Sequence, residues 1–209
     1  MRTLPNFSFT TFDMNLQRFV SQAESKSGFI NNVEYADPKW ILSLETRGYQ
    51  DNFNNLDDGL PSLDEVKAFW ASLRGGIRSV LIRHPNYICP RGNKDNPNAA
   101  KQTGYLEKVE NGNILTVTGN DPQLKLSAGD YASFQYGDYR GLGLIVSTWY
   151  NADSIGMEVE PKLQSYIKAG ATVYFDRIEL IMRPDNNSFS ISNGYPYKTA
   201  KFQFMESRI

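Results

Sequence analysis

Residues 105–117 read YLEKVENGNILTV, two runs of strand-forming residues on either side of Asn111-Gly112. Asn-Gly tolerates the positive φ angles of a tight hairpin turn, so this stretch predicts two antiparallel strands. Further short runs follow as far as Ala171–Phe175 and are separated by turn residues. Short strands at this spacing are typical of a small barrel of the OB or SH3 type.

The segment before this hairpin marks a boundary in the chain. Residues 84–104 read HPNYICPRGNKDNPNAAKQTG, with three prolines and four asparagines, which predicts a long exposed loop or a domain boundary near Pro85. Apolar and polar residues alternate on both sides of this region, from Phe7 to Val20, from Trp40 to Leu44 and again after Phe175. Such alternation predicts half-buried strands in both terminal parts of the chain.

Residues 62–76 predict one helix. Ser62 and Glu65 have the spacing of a capping box, and Gly75-Gly76 supply the left-handed exit. Three turns of helix are too short to be stable alone, so the apolar stripe is expected to pack on a sheet. The stripe consists of Val66, Phe69, Trp70 and Leu73.

Composition excludes several classes of protein. The chain has 209 residues, 22 Lys and Arg against 23 Asp and Glu, and a net charge of −1, so no basic excess favours a polyanion. An apolar content of 40% is enough for a buried core. The sequence contains no apolar run long enough to cross a membrane, and its first residues lack the apolar block of a signal peptide.

The stock of catalytic side chains is small, and we expect neither an enzyme nor a bound cofactor or metal. His84 and Cys89 are the only histidine and cysteine, so they offer at most one nucleophile–base pair and no intrachain disulfide. Glu158 and Glu160 share a strand face at a spacing that permits glycoside hydrolysis, which leaves an endoglycosidase as an alternative.

Aromatic residues in predicted loops and arginines that cluster in the sequence indicate contact surfaces. Tyrosine gives a large contact area at low entropic cost, and arginine suits ion pairs between subunits. The candidate interface residues are Arg74, Arg78, Tyr49 and Phe53. An alternative function is a carbohydrate-binding module that contacts host surface polysaccharide through Tyr136, Tyr139 and Trp149.

Eight short motifs follow one another along the chain: QRF (17–19), WILSL (40–44), AFWASLRGG (68–76), HP (84–85), PRG (90–92), LSAGDY (126–131), VEPKL (159–163) and AGATV (169–173). Their order and spacing resemble the distal tail (Dit) family of long-tailed, siphovirus-type phages of Gram-negative bacteria. The resemblance covers roughly residues 17–182. Asp37-Pro38-Lys39 stands where the family often has a glycine, and the loop Tyr49–Gly59 looks longer than usual.

The resemblance implies a mainly β subunit with two parts. Residues 1–84 and 176–209 would form a ring-forming β-sandwich with one short helix, and residues 85–175 an inserted OB-like barrel. It also implies a homohexameric ring, at the tip of the phage tail in the virion, that joins the tail tube protein to the baseplate hub or tail-tip protein. DNA would pass through the lumen without specific binding, and the subunit would be made in the host cytoplasm.

Overall fold

A computed structural model describes residues 2–50, 62–192 and 197–207. Within these ranges the protein is a β-sandwich with one short helix that carries a small closed barrel, so the predicted fold class is confirmed. The elements are β1 (Arg2–Thr3), β2 (Phe9–Glu24), β3 (Ile30–Thr46), β4 (Tyr49–Gln50), α1 (Leu63–Ser72), β5 (Val80–Arg83), β6 (Gly104–Glu110), β7 (Ile114–Thr118), β8 (Tyr131–Tyr136), β9 (Tyr139–Tyr150), β10 (Ser154–Glu160), β11 (Thr172–Tyr174), β12 (Glu179–Pro184), β13 (Ser190–Ser192) and β14 (Tyr197–Glu206).

The chain divides into two compact units, here called the sheet unit and the barrel unit. The sheet unit is Met1–Val80 with Met182–Arg208, and the barrel unit includes Leu81–Ile181. These divisions lie inside β5 and β12, whereas the sequence predicts boundaries after 84 and before 176. Strands β5 and β12 each keep one apolar pattern along their whole length, so the sequence gives no signal at the divisions inside them. The composition changes only where the proline- and asparagine-rich loop begins.

The strands outside the barrel form one sheet in the order β1-β5-β12-β14-β3-β2, and β4 and β13 also pair with β14. The apolar residues of β14 alternate, so Ala200, Phe202 and Phe204 all point to the buried side. Helix α1 covers these residues, with the Trp70 ring centroid 5.5 Å from that of Phe202 and 5.8 Å from that of Phe204.

Helix α1 begins with the predicted capping box. The Ser62 hydroxyl oxygen accepts the Glu65 amide at 3.3 Å, and the Glu65 carboxylate accepts the Ser62 amide at 2.5 Å. The left-handed exit begins one residue earlier than the sequence predicts, because Arg74 has a φ of 51° before Gly75 and Gly76. Both ends of the helix are thus determined by local sequence.

The barrel unit contains a closed barrel with the strand order β10-β7-β6-β11-β8-β9. Strands β6 and β7 form the predicted hairpin, and both Asn111 and Gly112 have the positive φ angles, 53° and 82°, that its turn requires. Buried side chains from all six strands fill the interior and include Leu106, Leu115, Phe134, Ile145, Met157 and Val173.

Candidate assembly interface

Strands β2 and β3 continue together past the part of β3 that pairs with β14. Strand β14 pairs with β3 only from Ile41 to Glu45, whereas the β2–β3 register continues from Leu16–Trp40 to Glu24–Ile30. Residues 17–39 therefore form a two-stranded ribbon, here called the arm. At a rise of about 3.3 Å per residue, the arm is roughly 26 Å long.

The arm carries large apolar side chains that its own subunit leaves uncovered. Phe29, at the tip, is 77% exposed, and the other exposed members are Val20, Ile30, Val33 and Tyr35. An isolated two-stranded ribbon is marginally stable in water. The β2–β3 register places Val20 and Ile30 on one face of the arm and Val33 on the other, so both faces carry uncovered apolar side chains. Exposed apolar side chains of this kind are typical of an interaction surface. We therefore identify the arm as a candidate contact surface.

The tip of the arm has a defined turn. The Ser25 amide donates to the Phe29 carbonyl at 2.8 Å, and the Gly28 amide donates to the Ser25 carbonyl at 2.9 Å. Gly28 has a φ of 79°, which favours glycine. The arm was not predicted from the sequence, although Lys26-Ser27-Gly28 is a turn signal that could have revealed it.

Arg74 and Arg78 lie in the loop that follows α1. Nη1 of Arg78 donates a hydrogen bond to the Ser72 carbonyl at 3.4 Å. The positive charge of Arg78 at the C-terminal end of α1 interacts favourably with the helix dipole. Arg2 donates to the Ser72 hydroxyl at 2.7 Å. Ile77 lies between Arg74 and Arg78 in the sequence, and its side chain is 76% exposed. This loop, in which an exposed apolar residue lies near Arg2 and Arg78, is a second candidate contact surface.

The structure does not place Tyr49 on a contact surface. Its side chain is 8% exposed, and its hydroxyl donates to the Phe7 carbonyl at 3.3 Å. Burial raises the pKa of this hydroxyl above its ordinary value. Tyr49 is buried because β4 pairs with β14, opposite Lys198. Phe53 lies outside the described residues.

The three aromatic residues predicted to contact saccharide do not form one surface. Tyr136 and Tyr139 are partners across the β8–β9 turn, and the Tyr139 ring stacks on Tyr166 at a centroid distance of 4.7 Å. Trp149 lies near the opposite end of β9, about 30 Å further along the strand. A saccharide contact built from all three residues is therefore not supported.

The residues considered for catalysis take part in local structure. The Asn86 amide donates to Nδ1 of His84 at 3.2 Å, and Sγ of Cys89 lies 3.7 Å from the Asn93 carbonyl oxygen. Burial lowers the pKa of His84 below its ordinary value. The Glu158 carboxylate accepts the Ser147 hydroxyl at 3.3 Å.

A search of the described ranges found no group of three or more histidine, cysteine or acidic residues placed to hold a metal ion. In the same ranges, no helix has the length and apolar character needed to cross a membrane. Comparison with protein-family models finds no match to this chain, and comparison with curated proteins also finds none.

Proposed function

We propose that this chain is a structural subunit of a phage tail, a distal tail adaptor without enzymatic activity. Six copies would form a ring that joins the tail tube protein to the baseplate hub or tail-tip protein, with DNA passing through the lumen. The motif order supports the family, and the exposed apolar arm is the observation that carries the assembly proposal.

The arm requires a partner for a physical reason. It has two strands and no core of its own, so its apolar side chains reach a stable environment only when another surface covers them. In a ring of identical subunits that surface belongs to the next copy, and the contact is heterologous because the arm of each copy meets a different patch of its neighbour.

The edge of the sheet also favours assembly. Among the described strands, β2 pairs only with β3, so β2 is an edge strand of the sheet. A long unpaired edge favours strand pairing with another chain. The arm and the β2 edge belong to one hairpin, so both would contact the same neighbour.

Mass photometry of the purified full chain and of arm variants tests the ring. We expect wild type to give a hexamer of 23.7-kDa subunits, about 142 kDa, and the double variant Phe29→Ser/Val33→Ser to give monomers with unchanged circular dichroism. Ile88→Ser is the matched control, because Ile88 is a similarly exposed apolar residue in the barrel unit.

Two outcomes would contradict the proposal. A wild-type chain that stays monomeric and never appears in the tails of assembled virions would exclude an adaptor. Equal loss of the hexamer in Ile88→Ser and in the arm variant would show that the arm has no special role. Cryo-electron microscopy of intact tails would place the subunit directly.

A further inference from the structure

A groove lies at one edge of the sheet unit, beside the loop that follows α1. It has a volume of about 420 Å³ and is lined by Arg2, Ile77, Arg78 and Ser79; it is here called the arginine groove. Strand β1, which carries Arg2, is an outer strand of the sheet, and the Arg2 amide donates to the Ser79 carbonyl at 3.2 Å. The two arginines of the groove therefore come from distant parts of the chain and meet only in the folded sheet.

Two further arginines lie close to the groove. Nη1 of Arg183 donates to the carbonyl of Gly76, the residue before Ile77, at 3.5 Å. Arg74 begins the left-handed exit of α1 and is exposed. Four arginines thus lie in or beside residues 72–79, although the chain as a whole has a net charge of −1.

None of these four arginines forms an ion pair with an acidic residue of the described part of the chain. Arg177, by contrast, pairs with Asp176 at 2.9 Å. Asp185 follows Arg183 by two residues, but its carboxylate accepts an amide of its own turn. The described residues therefore leave the positive charge of this region without an opposite charge.

Most donors of the groove arginines are available to a partner. A guanidinium has five N–H donors, and Arg2 and Arg78 use theirs, within the described residues, for bonds to the hydroxyl and the carbonyl of Ser72. These bonds fix the two side chains at the end of α1. The planar arginine fork fits a carboxylate with two parallel hydrogen bonds, which makes the pair both strong and specific in geometry.

Ile77 distinguishes an acidic peptide from a nucleic acid as the ligand. Both carry anions that fit arginine, but Ile77 lines the groove and is 76% exposed. Single-stranded nucleic acid relies on aromatic side chains on which its bases stack, and the described lining of the groove contains none. A peptide that carries an apolar side chain between carboxylates matches the isoleucine as well as the arginines.

The arm of a neighbouring copy is a poor complement for the arginine groove. Residues 17–39 contain three acidic and three basic residues, so the arm offers no excess of negative charge. Strands β1 and β2 are the outer strands on opposite sides of the sheet. The groove and the arm are therefore separate surfaces of one subunit, and they differ in the chemistry that they recognise.

We propose that the arginine groove binds an acidic segment of a different protein. Carboxylates of that segment pair with Arg2 and Arg78, and an apolar side chain packs on Ile77. Arg74 and Arg183 add to the attraction. This contact goes beyond the proposed ring and does not depend on it, because every residue involved lies in one subunit.

Fluorescence anisotropy of the full chain with labelled octapeptides tests this contact. The probe GELEELEG combines carboxylates with leucines, GQLQQLQG is its uncharged match, and GESEESEG keeps the charge without the apolar side chains. We expect GELEELEG to bind more tightly than the other two in 50 mM NaCl. Its affinity should fall roughly tenfold in 500 mM NaCl, because salt screens charges at the surface.

Substitutions then locate the site. Arg2→Gln/Arg78→Gln should weaken binding of GELEELEG roughly tenfold. Ile77→Ser should weaken it several-fold and leaves every hydrogen bond at the end of α1 in place. Lys94→Gln/Lys101→Gln is the matched control, because it removes the same charge from two exposed positions of the barrel unit and should bind as wild type does. Thermal melts of each variant report whether the chain is folded.

Four results would overturn the proposal. In the first, GELEELEG binds no more tightly than GQLQQLQG. In the second, the folded Arg2→Gln/Arg78→Gln variant binds with wild-type affinity. In the third, a (dT)20 oligonucleotide binds through these arginines and GELEELEG does not. In the fourth, mass photometry shows that the same variant loses a hexamer that wild type forms, which would make the groove a contact between copies.

Discussion

Ser62 is the residue whose structural role is most local. Its hydroxyl and its amide both bond to Glu65, so one side chain completes the N-terminus of α1. We expect Ser62→Ala to lower the free energy of unfolding by about 1 kcal/mol. Urea denaturation measures the change. Ser21→Ala, an exposed serine of the arm, is the control, and equal midpoints for both variants would contradict the assignment.

His84 makes the stability depend on pH. Burial lowers the pKa of His84 in the folded chain, so the unfolded chain binds a proton more readily. Protonation of Nδ1 would also remove the hydrogen bond from the Asn86 amide. Stability contributed by neutral His84 is therefore complete well above pH 6.5 and is lost as the pH falls below that value.

A comparison of wild type with His84→Gln separates the contribution of His84 to the pH dependence from the contribution of carboxylates. We expect the unfolding free energy of wild type to fall more between pH 7.5 and pH 5.5 than that of His84→Gln. Parallel pH profiles for the two proteins would show that His84 has the same proton affinity in the folded and unfolded chains.

At the scale of the element, α1 attaches to the sheet through its aromatic side chains. Phe69 is buried, and its ring centroid lies 5.5 Å from that of Phe7. We expect Phe69→Ala to destabilise the sheet unit by roughly 3–5 kcal/mol. The matched control is Ile77→Ala, which removes a side chain that is exposed. Similar chemical-denaturation midpoints for both variants would show that the helix face is misassigned.

Elements with local signals were predictable from the sequence. The Asn111-Gly112 turn and the Ser62–Glu65 capping box depend on residues within a few positions of one another, so their patterns are complete in a short window. The arm was not predicted, because a ribbon that packs against no core of its own subunit buries neither face. Its sequence therefore need not alternate apolar and polar residues. Without that alternation, residues 20–37 resemble a loop.

Residues whose environment depends on distant pairing were also beyond the sequence. Tyr49 follows a strand and precedes an asparagine-rich stretch, which suggests a loop, yet β14 joins the sheet nearly 150 residues later and buries it. Cross-strand registers of this kind are not encoded in any single segment.

At the scale of the whole molecule, the near-neutral net charge bears on which forces would hold copies of the chain together. The net charge is −1, and the arm contains an exposed ion pair between Arg18 and Glu34 at 3.4 Å. Exposed pairs of this kind add little free energy and are screened by salt. Apolar burial should therefore dominate the contact between copies.

Salt titration distinguishes the two candidate surfaces. If the arm forms the contact, the hexamer fraction measured by mass photometry should stay constant or rise between 50 and 500 mM NaCl. A contact built on Arg74 and Arg78 would instead weaken over that range. Steep dissociation in salt, abolished by Arg78→Gln, would assign the interface to the loop after α1.

If copies of the chain assemble through the arm as proposed, the length of the arm also affects how fast they associate. A ribbon that projects about 26 Å can touch a neighbour before the two bodies are correctly oriented, which enlarges the target for a productive collision. In such an encounter, Phe29 would make the first contact, and the two subunits would then rotate into their final orientation. Shortening the ribbon while keeping its tip should slow association more than it speeds dissociation.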